Sequence, residues 1–159
     1  MTTSTPPALT GRDIGAAARS TNALLQRLLD DADLPFAEWT VLFTLAGTGP
    51  LAPDDLVRQQ ADGLRVPEAT ARATVDGLLA SGLIGPDSGS GDGDRDDSDD
   101  GADRPLVLTA VGEAVFRPLS DAVGRITVDL YGDLPAADLE ATRRTLEEVT
   151  RRADALLAG

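Results

Sequence analysis

Residues 70–84 read TARATVDGLLASGLI, and two different periodicities meet inside them. Ala71, Val75, Leu78 and Leu79 recur at steps of four, three and one, which places them on one face of a helix. The spacing predicts a helix from about Pro67 to Ser81. Gly82 follows as a C-cap glycine, able to take the left-handed backbone that ends a helix. Leu83 and Ile84 are too few for another helix and suit a short strand. Residues 106–109, LVLT, suit its antiparallel partner, because β-favouring positions end there in a helix-capping threonine. Helix, strand and return strand then follow one another as a hairpin with a long tip.

The tip, residues 85–104, reads GPDSGSGDGDRDDSDDGADR and holds eight aspartates and two arginines. Its Gly, Ser and Asp content predicts an acidic, solvated and disordered wing over residues 86–105. Asp92, Asp94 and Asp96 alternate as in a calcium loop. Asp97 stands where such a loop needs glycine, however, and Asp103 where it needs glutamate, so no metal site is expected. From Leu64 to Arg104 four arginines meet ten acidic residues, a local balance of −6.

Working outward, Ile14, Ala18, Thr21, Leu25 and Leu28 give a helical stripe over residues 11–31, preceded by a disordered arm at residues 1–10. A second helix opens at Pro35, an acceptable first helical position, with Phe36, Trp39, Leu42, Phe43 and Ala46 as its apolar face. Gly47–Pro50 stops it. A third runs from Pro53 to near Gly63 with Leu56 and Val57 inward. After the hairpin, a long helix spans Ala110–Tyr131 with Val111, Val115, Leu119, Val123, Ile126 and Leu130 in register, and Pro118 should kink it. The last helix begins near Pro135. Its Leu139, Thr142, Leu146, Val149, Ala153 and Leu156 step by three and four, close to heptad spacing, and ask for a long apolar partner. A dimer is the economical partner; packing back onto the same chain is the alternative.

Composition bounds the chemistry. The 159 residues suffice for one domain with a core, but only 3% are aromatic, so that core must be mainly Leu, Val and Ala. There is no Cys and no His, and all fourteen basic residues are Arg. Disulfides, Cys/His metal sites and any imidazole, thiolate or lysine mechanism are thereby excluded. No apolar run is long enough to span a membrane, and no secretory signal opens the chain, so a cytoplasmic protein is expected. The formal charge of −13 opposes DNA binding overall, although a local basic face would still bind duplex.

The ordered set FAEWTVLFTLAGTGPL (36–51), TARATVDGLLASGLI (70–84) and LVLTAVGEAVF (106–116), with its flanking helices, resembles the MarR (multiple antibiotic resistance regulator) family of winged-helix proteins. The resemblance implies a mainly α fold, a winged helix-turn-helix with a short β-hairpin wing and long N- and C-terminal dimerisation helices. Residues 35–109 would form the winged lobe, and residues 11–34 and 110–159 the dimerisation helices of one domain. It implies a homodimer, a recognition helix at Pro67–Ser81 in the major groove and a wing at the minor groove. It also implies a crevice for a small apolar or aromatic ligand; no cofactor is expected.

Family members place Ser, Thr and Arg on the outer face of the recognition helix. This chain has Pro67, Glu68, Ala69, Ala73, Asp76 and Gly77 there, and Arg72 is the only strong donor. Arg65, Thr70, Arg72 and Arg104 are the expected DNA contacts, to double-stranded DNA bound weakly. Candidates for the ligand crevice are Arg12, Asp13, Arg19, Phe36, Glu38, Trp39, Phe43, Phe116, Arg117 and Tyr131. For the aromatics plain core packing is the competing reading. Glu38 beside Trp39 is the one candidate acid–base residue, since apolar walls disfavour a charged carboxylate. Two functions stay open. One is a ligand-responsive transcription regulator with weakened DNA contacts. The other is a descendant that has lost DNA binding and uses the crevice to bind or transform a small apolar substrate, by carboxylate acid–base or shape-directed chemistry. A purely protein-binding dimer is a third.

Overall fold

The computed structural model describes residues 9–87 and 104–158. Most of the expected N-terminal arm and most of the acidic wing therefore lie outside the described residues. The element order is α1 (Gly11–Asp31), α2 (Phe36–Thr48), α3 (Pro53–Leu64), α4 (Glu68–Ala80), β1 (Ile84–Pro86), β2 (Leu106–Leu108), α5 (Ala110–Tyr131) and α6 (Ala136–Leu157). This is the mainly α winged helix-turn-helix expected. Two compact units divide within α5, one up to Ser120 and the other from Asp121 onward.

In the first unit, α3 and α4 pack on each other and on α2. Leu42, Leu56 and Leu78, one from each helix, are fully buried at their junction. Each such side chain stabilises the unit by about 1.5–3 kcal/mol relative to exposure. The buried side of α2 is not the expected one. Val41 and Leu45 join Trp39 and Leu42 inside, while Phe36 and Phe43 are exposed at 42% and 56%, and Ala46 is exposed too. The segment FAEWTVLFTLA is apolar almost all round, so its periodicity could not select a face. The positions of α3, α4 and β2 select it.

Three helix ends share one device. The amide of Leu34 donates to Leu29 O at 3.0 Å, that of Val66 to Ala61 O at 3.0 Å and that of Leu83 to Leu78 O at 3.1 Å. Each bond closes over a left-handed residue: Asp33, Arg65 and Gly82 at φ 51°, 52° and 73°. Only the last is a glycine, as the sequence led us to expect. Arg65 makes the tight turn of the helix-turn-helix at a cost of about 1–2 kcal/mol in backbone strain. Pro35 and Pro67 have extended ψ of 144° and 142°, so each stands just before its helix rather than inside it. Pro53 does open α3.

β1 and β2 pair antiparallel, Ile84 with Leu108, Gly85 with Val107 and Pro86 with Leu106. The strand starts one residue later than Leu83 because the Leu83 amide is spent on the end of α4. Leu51 adds a third position: it donates to Leu106 O at 3.1 Å and accepts from the Leu106 amide at 2.7 Å. The described ends of the wing meet where the Asp87 amide donates to Pro105 O at 2.7 Å. Thr109 then starts α5. Its hydroxyl lies 2.6 Å from Gly82 O, to which it donates, and accepts from the Gly112 amide at 3.0 Å. Gly112 is buried against Leu83, whereas its neighbour Val111, expected inside, turns out at 59% exposure. α5 continues through Pro118 as one helix.

The second unit holds the end of α5 and all of α6. No α6 side chain is buried. Its polar side is laced by ion pairs: Arg143 with Glu140 at 2.8 Å and also with Glu147, and Glu148 with Arg151 at 2.7 Å and Arg152 at 2.6 Å. Leu146, Val149, Leu156 and Leu157 stand exposed.

Candidate nucleic-acid interface and aromatic site

Ala71, Val75 and Leu78 hold α4 down, and this leaves Glu68, Ala69, Arg72, Ala73, Asp76 and Gly77 facing out. Steps of four put Glu68, Arg72 and Asp76 in one outer row. Arg72 is therefore flanked by a carboxylate one turn to either side. A third reaches it from α3: Arg72 Nη2 donates to Asp54 Oδ1 at 2.8 Å. That hydrogen bond, then the Asp54 charge, raises the Arg72 guanidinium above its ordinary basicity, with smaller help from Asp76 and Glu68. The outer face of α4 is thus polar and weakly acidic.

The other expected DNA contacts are scattered. Arg65 is exposed and committed by its backbone to the turn between α3 and α4. Thr70 lies exposed in the first turn of α4, its carbonyl accepting from the Thr74 hydroxyl at 3.3 Å. Arg104 is exposed just before β2. Arg65, Arg72 and Arg104 thus come from turn, helix and wing base of one lobe.

A second cluster lies where α2 meets the start of α5. Trp39 is 4% exposed and stacks on Phe116 at 5.1 Å between ring centroids, 23° from parallel. Phe43 closes a triangle, 5.9 Å from Trp39 and 6.4 Å from Phe116. Such pairs contribute about 0.5–1.5 kcal/mol each beyond burial. Trp39 is core, yet Phe43 is largely open, so the cluster offers an apolar face as well as packing. Glu38, next to Trp39, is half-buried. Arg117 is exposed and pairs with Glu113 at 3.3 Å. Arg12 and Arg19 are exposed on α1, the latter with its guanidinium folded near Gly15. Asp13 is occupied as a helix cap, accepting from the Thr10 amide at 2.9 Å and the Thr10 hydroxyl at 2.6 Å, and those bonds lower its pKa. Tyr131 belongs to the second unit and is exposed. The structure brings Trp39, Phe43 and Phe116 together; among the described residues of the first unit, no ring contact joins Phe36 to them and no hydrogen bond or ion pair joins Arg12, Asp13, Arg19, Glu38 or Arg117 to them.

Among the described residues no group of acidic side chains could hold a metal ion, and no helix is long and apolar enough to cross a membrane. Sequence reasoning missed Asp54 and Gln60. Gln60 is buried between α2 and α3, where its Nε2 donates to Thr44 Oγ1 at 2.9 Å and to Thr40 O at 3.3 Å, and its Oε1 lies 2.8 Å from the Thr40 hydroxyl. Its place in the inward row with Leu56, Val57 and Ala61 was the available signal. Nothing in the sequence marked Asp54 apart from Asp55.

No family model and no curated protein matches the sequence. Solved structures do. NadR in complex with 4-hydroxyphenylacetate is similar with a TM-score of 0.65 at 20% identity, over 94% of this chain and 97% of that one. The chain has the fold of the MarR winged-helix regulators. Staphylococcus aureus MarR in complex with salicylate and kanamycin gives a TM-score of 0.68 at 14% identity, over 89% of this chain and 88% of that one. Wild-type MarR from E. coli in its apo form gives 0.58 at 20% identity, over 92% and 98%. In that fold α3 and α4 form the helix-turn-helix and β1–β2 is the wing.

Proposed function

We propose that the chain is a MarR-like homodimer that binds a small aromatic ligand and regulates transcription through weakened DNA contacts. The observation that carries this reading is the helix-turn-helix whose second helix, α4, is anchored by three buried side chains and open along its outer row. Two neighbours of the same fold are complexes with 4-hydroxyphenylacetate and salicylate. Both are aromatic carboxylates, and the Trp39–Phe43–Phe116 face is apolar enough to take such a ring, with Arg117 and Arg19 the candidate partners for its carboxylate. Arg65, Thr70, Arg72 and Arg104 are the residues proposed to meet the duplex.

The acidic row of α4 favours a second reading, a descendant that keeps the aromatic site and has lost DNA, with Glu38 as its candidate acid–base group. One experiment separates them. Binding of the chain to its own upstream duplex is followed at 150 mM salt, with and without added 4-hydroxyphenylacetate or salicylate. The regulator reading expects weak, measurable binding that either compound alters. No binding at any protein concentration up to solubility overturns it. Trp39 is the only tryptophan, so its fluorescence reports the ligand directly; a spectrum unchanged by aromatic carboxylates removes the ligand half.

A further inference from the structure

Arg72 is the only basic side chain of α4, and a carboxylate already holds it. Its partner comes from another helix: Asp54 stands in the first turn of α3 and reaches across to the guanidinium at 2.8 Å. The pair is not a product of spacing along one helix. The adjacent Asp55 makes the ordinary kind of pair, with Arg58 three residues on at 3.0 Å. Asp54 is thereby left as the carboxylate directed at α4. Both partners keep open surface, 50% for the Arg72 side chain and 74% for that of Asp54, so another anion can reach the guanidinium.

We propose that Asp54 is an internal competitor for phosphate, occupying Arg72 and setting a low affinity of the α3–α4 face for duplex DNA. The inference rests on the reading of α4 as the DNA-facing helix. Its chemistry is direct, because carboxylate and phosphate oxygens use the same guanidinium N–H donors. A phosphate that arrives must displace Asp54, and the displaced carboxylate stays close by, one helix away, where it repels the backbone. Glu68 and Asp76 offer Arg72 no escape along its own row. An exposed ion pair of this kind changes affinity by no more than about fivefold. That factor is small for folding and large for a DNA face with one arginine on its helix.

The test uses the full chain, a labelled random-sequence duplex and a salt series. Asp54→Asn should bind about fivefold tighter than the parent. Its plot of log affinity against log salt should steepen by about one phosphate contact, a slope change of about 0.9. Asp62→Asn, in the last turn of α3, makes the same change in net charge away from Arg72 and should gain clearly less, at unchanged slope. Adding Arg72→Ala to Asp54→Asn should abolish the gain, and Asp54→Ser should reproduce it. Circular dichroism melts establish that each variant is folded. A gain no larger than that of Asp62→Asn, or one that survives Arg72→Ala, overturns the competitor role while leaving DNA binding intact. Absence of binding by parent and every variant overturns the competitor role and the DNA reading together.

Discussion

A Cβ at Gly112 would meet the Leu83 carbonyl oxygen at 1.9 Å and its carbon at 2.9 Å, and both atoms are backbone that cannot swing aside. Gly112→Ala sets two effects against each other. Alanine favours a helix interior by up to about 1 kcal/mol over glycine. Forcing the first turn of α5 off β1 costs about 1–3 kcal/mol, and it also stretches the Gly112–Thr109 and Thr109–Leu83 bonds of 3.0 and 3.1 Å. The clash wins, so we expect a net loss of stability on the order of 1–2 kcal/mol in urea unfolding. A variant as stable as the parent would show that the helix and strand do not approach so closely.

At the scale of one element, α6 has no buried side chain, and ion pairs three and four residues apart run along it. Hydrogen bonds from Arg151 and then Arg152 lower the Glu148 carboxyl from 4.5 to about 2. A depressed carboxylate contributes stability above its unfolded pKa and loses it as the pH falls through the folded one. The Glu148 contribution is accordingly present above about pH 4.5 and lost towards pH 2. An NMR titration of Glu148 should show a midpoint near 2, and the Arg151→Ala/Arg152→Ala double variant should return it towards 4.5. A parent midpoint near 4.5 would mean that the two arginines spend little time on that carboxylate.

At the scale of the whole molecule, α6 carries an exposed apolar row of Leu146 at 38%, Val149 at 44% and Leu156 at 84%. We expect sedimentation at micromolar concentration to give about twice the 16.5 kDa chain mass, and Val149→Asp to shift it towards the monomer. A monomeric parent would remove the homodimer. The acidic segment acts at the same scale, through net charge. Replacing residues 87–103 with a short neutral turn removes eight aspartates and one arginine, a change of +7. Binding to upstream duplex should tighten as that repulsion is lifted, most clearly at low salt where charges are least screened. If the shortened chain binds no better, the α4 row of Glu68 and Asp76 outweighs the segment.

The sequence by itself determined the elements. Stripes of three- and four-residue spacing placed α1 and α5 at about their observed bounds, α3 and α4 to within one residue at each end, and the start of α6 to within one. Those boundaries are local matters of caps, glycines and prolines that the chain spells out. It also determined the absent chemistry, since a chain without Cys, His or Lys cannot use them. Tertiary structure alone decided which side of α2 is buried, because a segment apolar on every side carries no preference until α3, α4 and β2 close over one of them. It alone made Leu51 a third position of the sheet, brought Phe116 onto Trp39 and set the Leu83 carbonyl where only Gly112 fits. The same holds for the pairing of Asp54 with Arg72. They are eighteen residues apart on two helices, and a bond between side chains depends on a packing geometry that no single stretch of sequence contains.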